Sequence, residues 1–326
     1  MASLKETKAR IASVKSTLKI TSAMKMVASA KLHKAQNAIE NMLPYERKLR
    51  EMLTLLVSSD QTRQNASAGD RQGLALENCA TLGNIRGGDP SDELRGGPKD
   101  VFKDKTPADE SKVVAIVAVA SNSSLCGGFN ANVIREVKHR IYALETDGFK
   151  VEVFSIGKKI ADAMRKSGYP SAEDWSELVA HTSYADADRL AKSLYQSFVE
   201  GRYSRVELIY NHFVSTSTQK VLHETYLPMA APTADAEASR EWPEDLIIEP
   251  TPAEMLADLL PRVRSLRIYT VILDSCAAEH AARTVAMQTA TDNGENILQE
   301  LTLEYNKGRQ QKITSEILDI VGGSLQ

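Results

Sequence analysis

Apolar or small residues recur three and four apart along the start of the chain, at Leu4, Ile11, Val14, Leu18, Thr21, Ala28, Leu32, Ala35, Ile39 and Met42, with gaps at positions 7 and 25. This spacing is the seam of a coiled coil. No proline precedes Pro44 and no glycine precedes Gly69, so one helix is predicted from Leu4 to about Val57, spanning about 80 Å. A second long helix is predicted from Pro252 to about Val321, with Thr251 as its N-cap and Gly322 and Gly323 as its stop. It would span about 105 Å if continuous. Pro261 should bend or restart it, because the ring removes a backbone donor and crowds the preceding turn. Helices this long with so narrow a stripe need a partner. Pairing with each other is favoured by the high effective concentration of two segments of one chain. The alternative is that each self-associates in a separate oligomer.

The seam changes character between Thr21 and Ala30, where small and polar residues predominate, and the distal helix answers with Ala286, Thr289, Ala290, Thr291, Asn293 and Asn296. These positions either control register or form a bearing surface. Asp292-Asn293-Gly294 has the composition of a turn yet sits in the middle of the helical pattern, as a local weak point or as a polar surface aimed at a partner.

Between the helices the pattern differs. Residues 113–120, Val-Val-Ala-Ile-Val-Ala-Val-Ala, form a continuous β-branched apolar run, as expected of a strand buried on both faces of a parallel sheet. Beyond it, helices are predicted at 131–145, 158–167 and 185–200, and strands at 151–156, 206–213 and 221–227. This alternation predicts a small α/β unit with an open sheet. The turn after the first strand, Ser121 to Asn130, stands where a doubly wound fold would hold a phosphate. It has neither a Gly-x-Gly-x-x-Gly series nor a Gly-Lys-Ser/Thr end, so a structural turn is the better reading. Residues 60–111 hold seven glycines, three prolines, ten acidic and seven basic residues with little apolar periodicity, the composition of a mobile surface insertion. The expected layout is 1–59 N-terminal helix, 60–111 insertion, 112–228 central domain, 229–250 connection and 251–326 C-terminal helix.

Charge narrows the function. Residues 1–34 carry Lys5, Lys8, Arg10, Lys15, Lys19, Lys25, Lys31 and Lys34 against Glu6 alone, in a chain of net charge −3. A basic helix in an acidic chain calls for an acidic neighbour, protein, membrane or nucleic acid, or is simply a solvated face. The absence of interleaved aromatics argues against nucleic acid. Cys79, Cys126 and Cys276 lack the spacing of a disulfide framework or zinc site, and the six histidines are scattered. Glu279 and His280 are adjacent on a helix and do not face each other as an acid–base pair. No apolar run is long enough to span a membrane, and no signal peptide precedes the basic helix. No cofactor, metal or catalytic residue is expected.

Lys19-Ile20-Thr21-Ser22-Ala23-Met24-Lys25-Met26-Val27-Ala28-Ser29-Ala30-Lys31-Leu32 resembles the gamma subunit of rotary F-type ATP synthases. So do Glu279-His280-Ala281-Ala282-Arg283, Ala290-Thr291-Asp292-Asn293, Tyr305-Asn306-Lys307-Gly308-Arg309-Gln310, Ile313-Thr314-Ser315-Glu316-Ile317, Leu125-Cys126-Gly127-Gly128-Phe129-Asn130 and Tyr210-Asn211 with Phe213. The resemblance implies an antiparallel coiled coil of the two terminal helices carrying a Rossmann-like open-sheet domain. It implies one copy as a central rotor, non-catalytic by itself, within three alpha and three beta subunits, beside epsilon and over a c-ring. Such a rotor couples proton flow to ATP chemistry and sits peripherally on the cytoplasmic face of a bacterial inner membrane. Met24, Lys25, Arg309, Gln310, Thr314 and Glu316 would meet beta subunits. Ile313, Ile317, Ile320 and Val321 would form an apolar tip in the hexamer sleeve, and Tyr210, Asn211, Phe213 and Gln219 would lie toward epsilon and the ring. The chain departs from the family at Ser121-Asn122-Ser123-Ser124, where Ser-Asp-Arg/Lys-Gly is usual, at Ala278, where serine is commoner, and in the 60–111 segment, which could limit rotation in one direction. The alternatives are a free coiled-coil protein binding an acidic partner or nucleic acid, and an α/β enzyme using the Cys126 turn.

Overall fold

The computed structural model describes residues 4–70, 112–229, 249 and 251–324. Helix α1 (Leu4–Asp70) and the last helix, α6 (Pro252–Ser324), flank β1 (Val113–Val119), α2 (Phe129–Thr146), β2 (Lys150–Ile156), α3 (Lys158–Lys166), α4 (Ser176–Ala180), α5 (Tyr184–Val199), β3 (Arg205–Phe213) and β4 (Gln219–Leu227). The sheet order is β2-β1-β3-β4; β1 runs parallel to both neighbours, and β3 and β4 form an antiparallel pair.

Strand β1 is buried on both faces, as its unbroken apolar run demands. Val114, Ile116, Ala118 and Ala120 point into one core with Val133, Val137, Ile141 and Leu144 of α2 and Ile160 and Met164 of α3. Ala115, Val117 and Val119 point into the other, with Leu190, Leu194 and Phe198 of α5. Ile268, Val271, Ile272 and Cys276 of α6 belong to this second core. The C-terminal helix is therefore a layer of the central domain as well as half of the shaft.

The two long helices pair with each other, antiparallel within one chain, rather than with separate copies. Every predicted stripe position from Leu4 to Met42 is buried or half-buried, and Thr7, at one of the gaps, is buried too. Contacts recur in a constant register: Leu4 faces Gly308, Leu18 faces Gly294, and the Thr291 hydroxyl lies 3.0 Å from that of Thr21. Lower down, Leu32 packs on Ala277 and Ala281. Leu49, Leu53 and Leu56 meet Leu256, Leu259, Leu260 and Leu266. One helix steps forward by as many residues as the other steps back, so the register never slips.

Three expectations change. Helix α1 continues through Pro44 to Asp70, beyond the predicted end at Val57, while 71–111 lies outside the described residues. Helix α6 is continuous through Pro261. A proline removes one backbone hydrogen bond, and the leucines packed on both sides of Pro261 hold the helix across that loss. At the far end α6 continues past Gly322 and Gly323 to Ser324.

Gly294 is neither a turn nor a weak point. A Cβ there would meet Leu18 Cδ2 at 2.7 Å, so the glycine is the recess that receives Leu18. Alanine can be accommodated by turning a flexible leucine, and it gains helix propensity. Gly294→Ile should instead overpack the seam and cost about 2 kcal/mol in a denaturant titration of the full chain.

Candidate functional site

Above the central domain, the shaft is a two-helix rod. Buried hydrophobic residues thin out along it: Ala28, Leu32 and Met287 are covered, whereas Ile20, Met26, Val27, Ile297 and Leu303 are exposed. Met24 and Lys25 are half-buried on α1, Lys25 filling a gap in the apolar stripe. At the seam nearby, Thr291 can donate its hydroxyl to Met287 O or to Thr21, and Thr21 can donate to Leu18 O. The rod is thus held there largely by small and polar contacts, with several of its large apolar side chains turned outward.

Among the described residues α1 begins at Leu4, level with Gly308, so α6 overhangs as a single helix from 309 to 324. Arg309, Gln310, Thr314 and Glu316 are exposed on it. Ile313, Ile317, Leu318, Ile320 and Val321 are 47–71% exposed. This is a run of large aliphatic side chains at helical spacing along one broad face of a lone helix, a surface that water does not favour. Met24 and Lys25 lie about 30 Å below the start of the overhang, given 1.5 Å per residue. The two groups of predicted contact residues are thus brought onto one rod at separate levels and not into one cluster.

The remaining predicted positions lie at the junction of domain and shaft. Tyr210 and Asn211 are 3% and 2% exposed; Asn211 Nδ2 donates to Phe129 O, and Arg267 lies 3.5 Å from the Tyr210 hydroxyl. Their side chains bind the domain together and are closed to a partner. Phe213 is half-buried between α6 and the Cys126 turn, and Gln219 is half-buried at the start of β4, donating to Ser215 O and Thr216 O.

Polar ties anchor the domain to α6 at several levels. Arg267 Nη2 donates to both carboxylate oxygens of Glu224, at 2.7 and 2.6 Å. Asp274 accepts from Phe213 N and pairs with His212 Nδ1 at 2.6 Å. Ser265 donates to Asp188. These ties went unread in the sequence because each joins residues far apart in it. Behind the sheet, fully buried Glu207 receives both Arg140 and His223.

The Ser121–Asn130 turn leaves no phosphate cradle. Asn122 Oδ1 accepts from Lys158 N at the start of α3, and Asn130 Oδ1 accepts from Ser121 N. Arg283 reaches into the turn from α6. Ser121 N, Lys158 N and the Arg283 guanidinium are thus already engaged within the protein rather than free to hold an anion.

Residues 3–325 match the family model described as ATP synthase. The ATP synthase gamma chain of Bacteroides thetaiotaomicron is 46% identical, with both chains covered over their full length, and that of Phocaeicola vulgatus is 44% identical, again over the full length of both. In fold, the chain is similar to the rotor chain of Euglena gracilis mitochondrial ATP synthase in rotational state 1, with a TM-score of 0.55 at 17% identity, covering 95% of this chain and 98% of that one. From Leu4 to the apolar overhang, this chain belongs to the ATP synthase gamma chain family.

Proposed function

We propose that this gamma chain is the central rotor shaft of a proton-translocating ATP synthase, turning as one copy inside three alpha and three beta subunits, with its foot beside epsilon and the c-ring. The observation that carries this reading is the overhang: a lone helix with Ile313, Ile317, Leu318, Ile320 and Val321 exposed, projecting from a rod that is otherwise internally paired. An apolar sleeve formed by other subunits is the surface that such a tip fits. The chain contributes no catalytic group in this reading. It acts by presenting a different face to each beta subunit at each angle, so that rotation shifts their conformational equilibria in turn through differential contact energy.

The basic stripe with Met24 and Lys25 would pass acidic segments of the beta subunits, and Arg309, Gln310, Thr314 and Glu316 would make polar contacts above it. Gln219 and the surface around Phe213 would face epsilon and the ring. Membrane association would come through the complex on the cytoplasmic face of a bacterial inner membrane; among the described residues no helix is long and apolar enough to cross one.

Co-purification of a tagged copy from native membranes tests the partners. Recovery of alpha, beta and epsilon in a three to three to one ratio per copy is expected; a lone homo-oligomer would overturn the reading. Ile317→Glu with Ile320→Glu should weaken retention of the hexamer in the same assay. Two isoleucines withdrawn from water contribute about 3 kcal/mol, so a loss on the order of a hundredfold in affinity is expected.

A further inference from the structure

Where the shaft leaves the central domain, one arginine joins α6 to the loop after β1. Arg283 is 10% exposed. Its Nη1 donates to Glu279 Oε1 at 2.7 Å, one helical turn earlier on α6, and its Nη2 donates to Ser123 Oγ at 2.7 Å and approaches Ser124 O at 3.5 Å. Glu279 is itself buried at 6% exposure. Burial raises its carboxyl, with the Arg283 guanidinium pulling the other way. His280 lies alongside, 3.5 Å from Nη1, and burial, Arg283 and Lys31 hold its imidazole down at about 4. It is therefore neutral at physiological pH, and its Nδ1 can accept from the guanidinium.

The loop it reaches is held in an unusual shape. Leu125 has φ of 66° and Gly127 φ of 58°. A leucine at positive φ persists only when its surroundings over-determine it. Here the surroundings are Cys126 and Phe129, packed on Ala278 and Ala282 of α6, and the Arg283 bridge.

Below this level the next tie that involves a charged group is Asp274, about 13 Å down the helix at 1.5 Å per residue, with only long thiol contacts from Cys276 Sγ to Val179 O and the Thr182 hydroxyl, each 3.9 Å, between them. Otherwise the surface that α6 presents to the domain between the two levels is small and apolar, made by Cys276, Ala278 and Ala282. Apolar contact is non-directional, so it resists separation more than sliding or twisting. A fork of charge-assisted hydrogen bonds resists a change of angle, because it loses energy with misalignment. Arg283 can bridge to this loop because position 123 is serine, whose hydroxyl oxygen can accept; a cation at that position would be repelled.

We propose that Arg283 is a positioning residue that fixes the angle between the shaft and the central domain, gripping the loop after β1 through Ser123 while Glu279 holds its guanidinium in place. The proposal rests on the rotor reading. Load passing between foot and shaft crosses this junction, and the bridge keeps it from being lost as twist.

The test uses the assembled complex in proteoliposomes, measuring ATP hydrolysis and ATP-driven proton transport on the same preparation, with the thermal midpoint of the full chain alongside. Arg283→Lys keeps a cation for Glu279 but loses the fork. Hydrolysis within about twofold of wild type and a transport-to-hydrolysis ratio reduced about threefold are expected. Ser123→Ala removes only an exposed hydroxyl, leaving the backbone of the loop bonded, and should reduce the ratio about twofold at an unchanged midpoint. Ser123→Asn, whose side-chain oxygen can accept from Arg283, should retain the wild-type ratio. A ratio unchanged in both Arg283→Lys and Ser123→Ala, or falling only in step with the thermal midpoint, overturns the proposal. A wild-type complex that hydrolyses ATP without transporting protons overturns the rotor reading, and the proposal with it.

Discussion

Glu207→Gln is expected to destabilise the chain by about 3 kcal/mol, the scale for breaking a buried ion pair by removing one partner. The Glu207 side chain is 1% exposed and receives Arg140 Nε and Nη2 at 2.7 and 2.6 Å, His223 Nε2 at 2.7 Å and Arg205 Nε at 3.2 Å. Gln is isosteric but neutral, so the Arg140 guanidinium behind the sheet keeps its charge and loses its counter-ion. Burial pushes the Glu207 carboxyl up, but the hydrogen bonds from Arg140 and His223 outweigh it and hold the group at about 2, against 4.5 ordinarily. A depressed carboxylate contributes stability that is fully present above its unfolded value and lost as the pH falls through its folded one. The difference between wild type and Glu207→Gln should therefore be full near neutrality and shrink from about pH 4.5 toward 2. Urea titrations across that range check it; a difference independent of pH would mean that the substitution acts through packing alone.

The second large effect is expected at Gly157. It stands between β2 and α3 with φ of 110°, and a Cβ would lie 2.9 Å from the Ala120 carbonyl carbon and closer still to its oxygen. The neighbour is backbone at the end of β1, where Ala120 N also donates to Ile156 O, so it cannot turn aside. Gly157→Ala combines strain in the left-handed region with a clash against fixed atoms, and should cost roughly 4 kcal/mol. Gly148, with φ of 82° and nothing within 4 Å, is the control. There alanine meets the conformational strain only and should cost roughly 1 kcal/mol. Equal losses at the two sites would show that the close approach to Ala120 does not matter.

Much of this architecture is legible in the sequence, because long helices and doubly buried strands are local patterns. The stripe from Leu4 to Met42 gave the seam, and the small residues facing it around Ala286 to Asn296 include Thr291, the partner of Thr21. The run at 113–120 gave the central strand. What the stripe could not convey is that α6 serves two masters. A single seam was read along it, yet Leu266, Ile268, Val271, Ile272, Leu273, Cys276, Ala277, Ala278 and Ala281 are buried on all sides of the helix. Apolar residues all round a helix signal full burial, so that clue was present. Pro261 misled because its local cost is offset by packing against Leu49, Leu53 and Leu56, which are distant in sequence. The junction contacts, Arg283 with Ser123 and Asp274 with Phe213, join positions brought together only by folding. Of the contact residues implied by the family, those of the last turns, read as an apolar tip held in a hexamer sleeve, are exposed in the chain by itself, while Tyr210 and Asn211 turn inward because residues of β3, a strand with helices on both faces, have no surface to meet.

The central claim is that this chain turns relative to the catalytic hexamer. The most direct measurement immobilises the purified complex through its beta subunits, attaches a bead to a cysteine introduced at exposed Tyr142 on α2, and follows the bead under ATP. The account predicts stepwise rotation in one direction that stops when ATP is withdrawn. A bead that stays still while the same molecules hydrolyse ATP would contradict it.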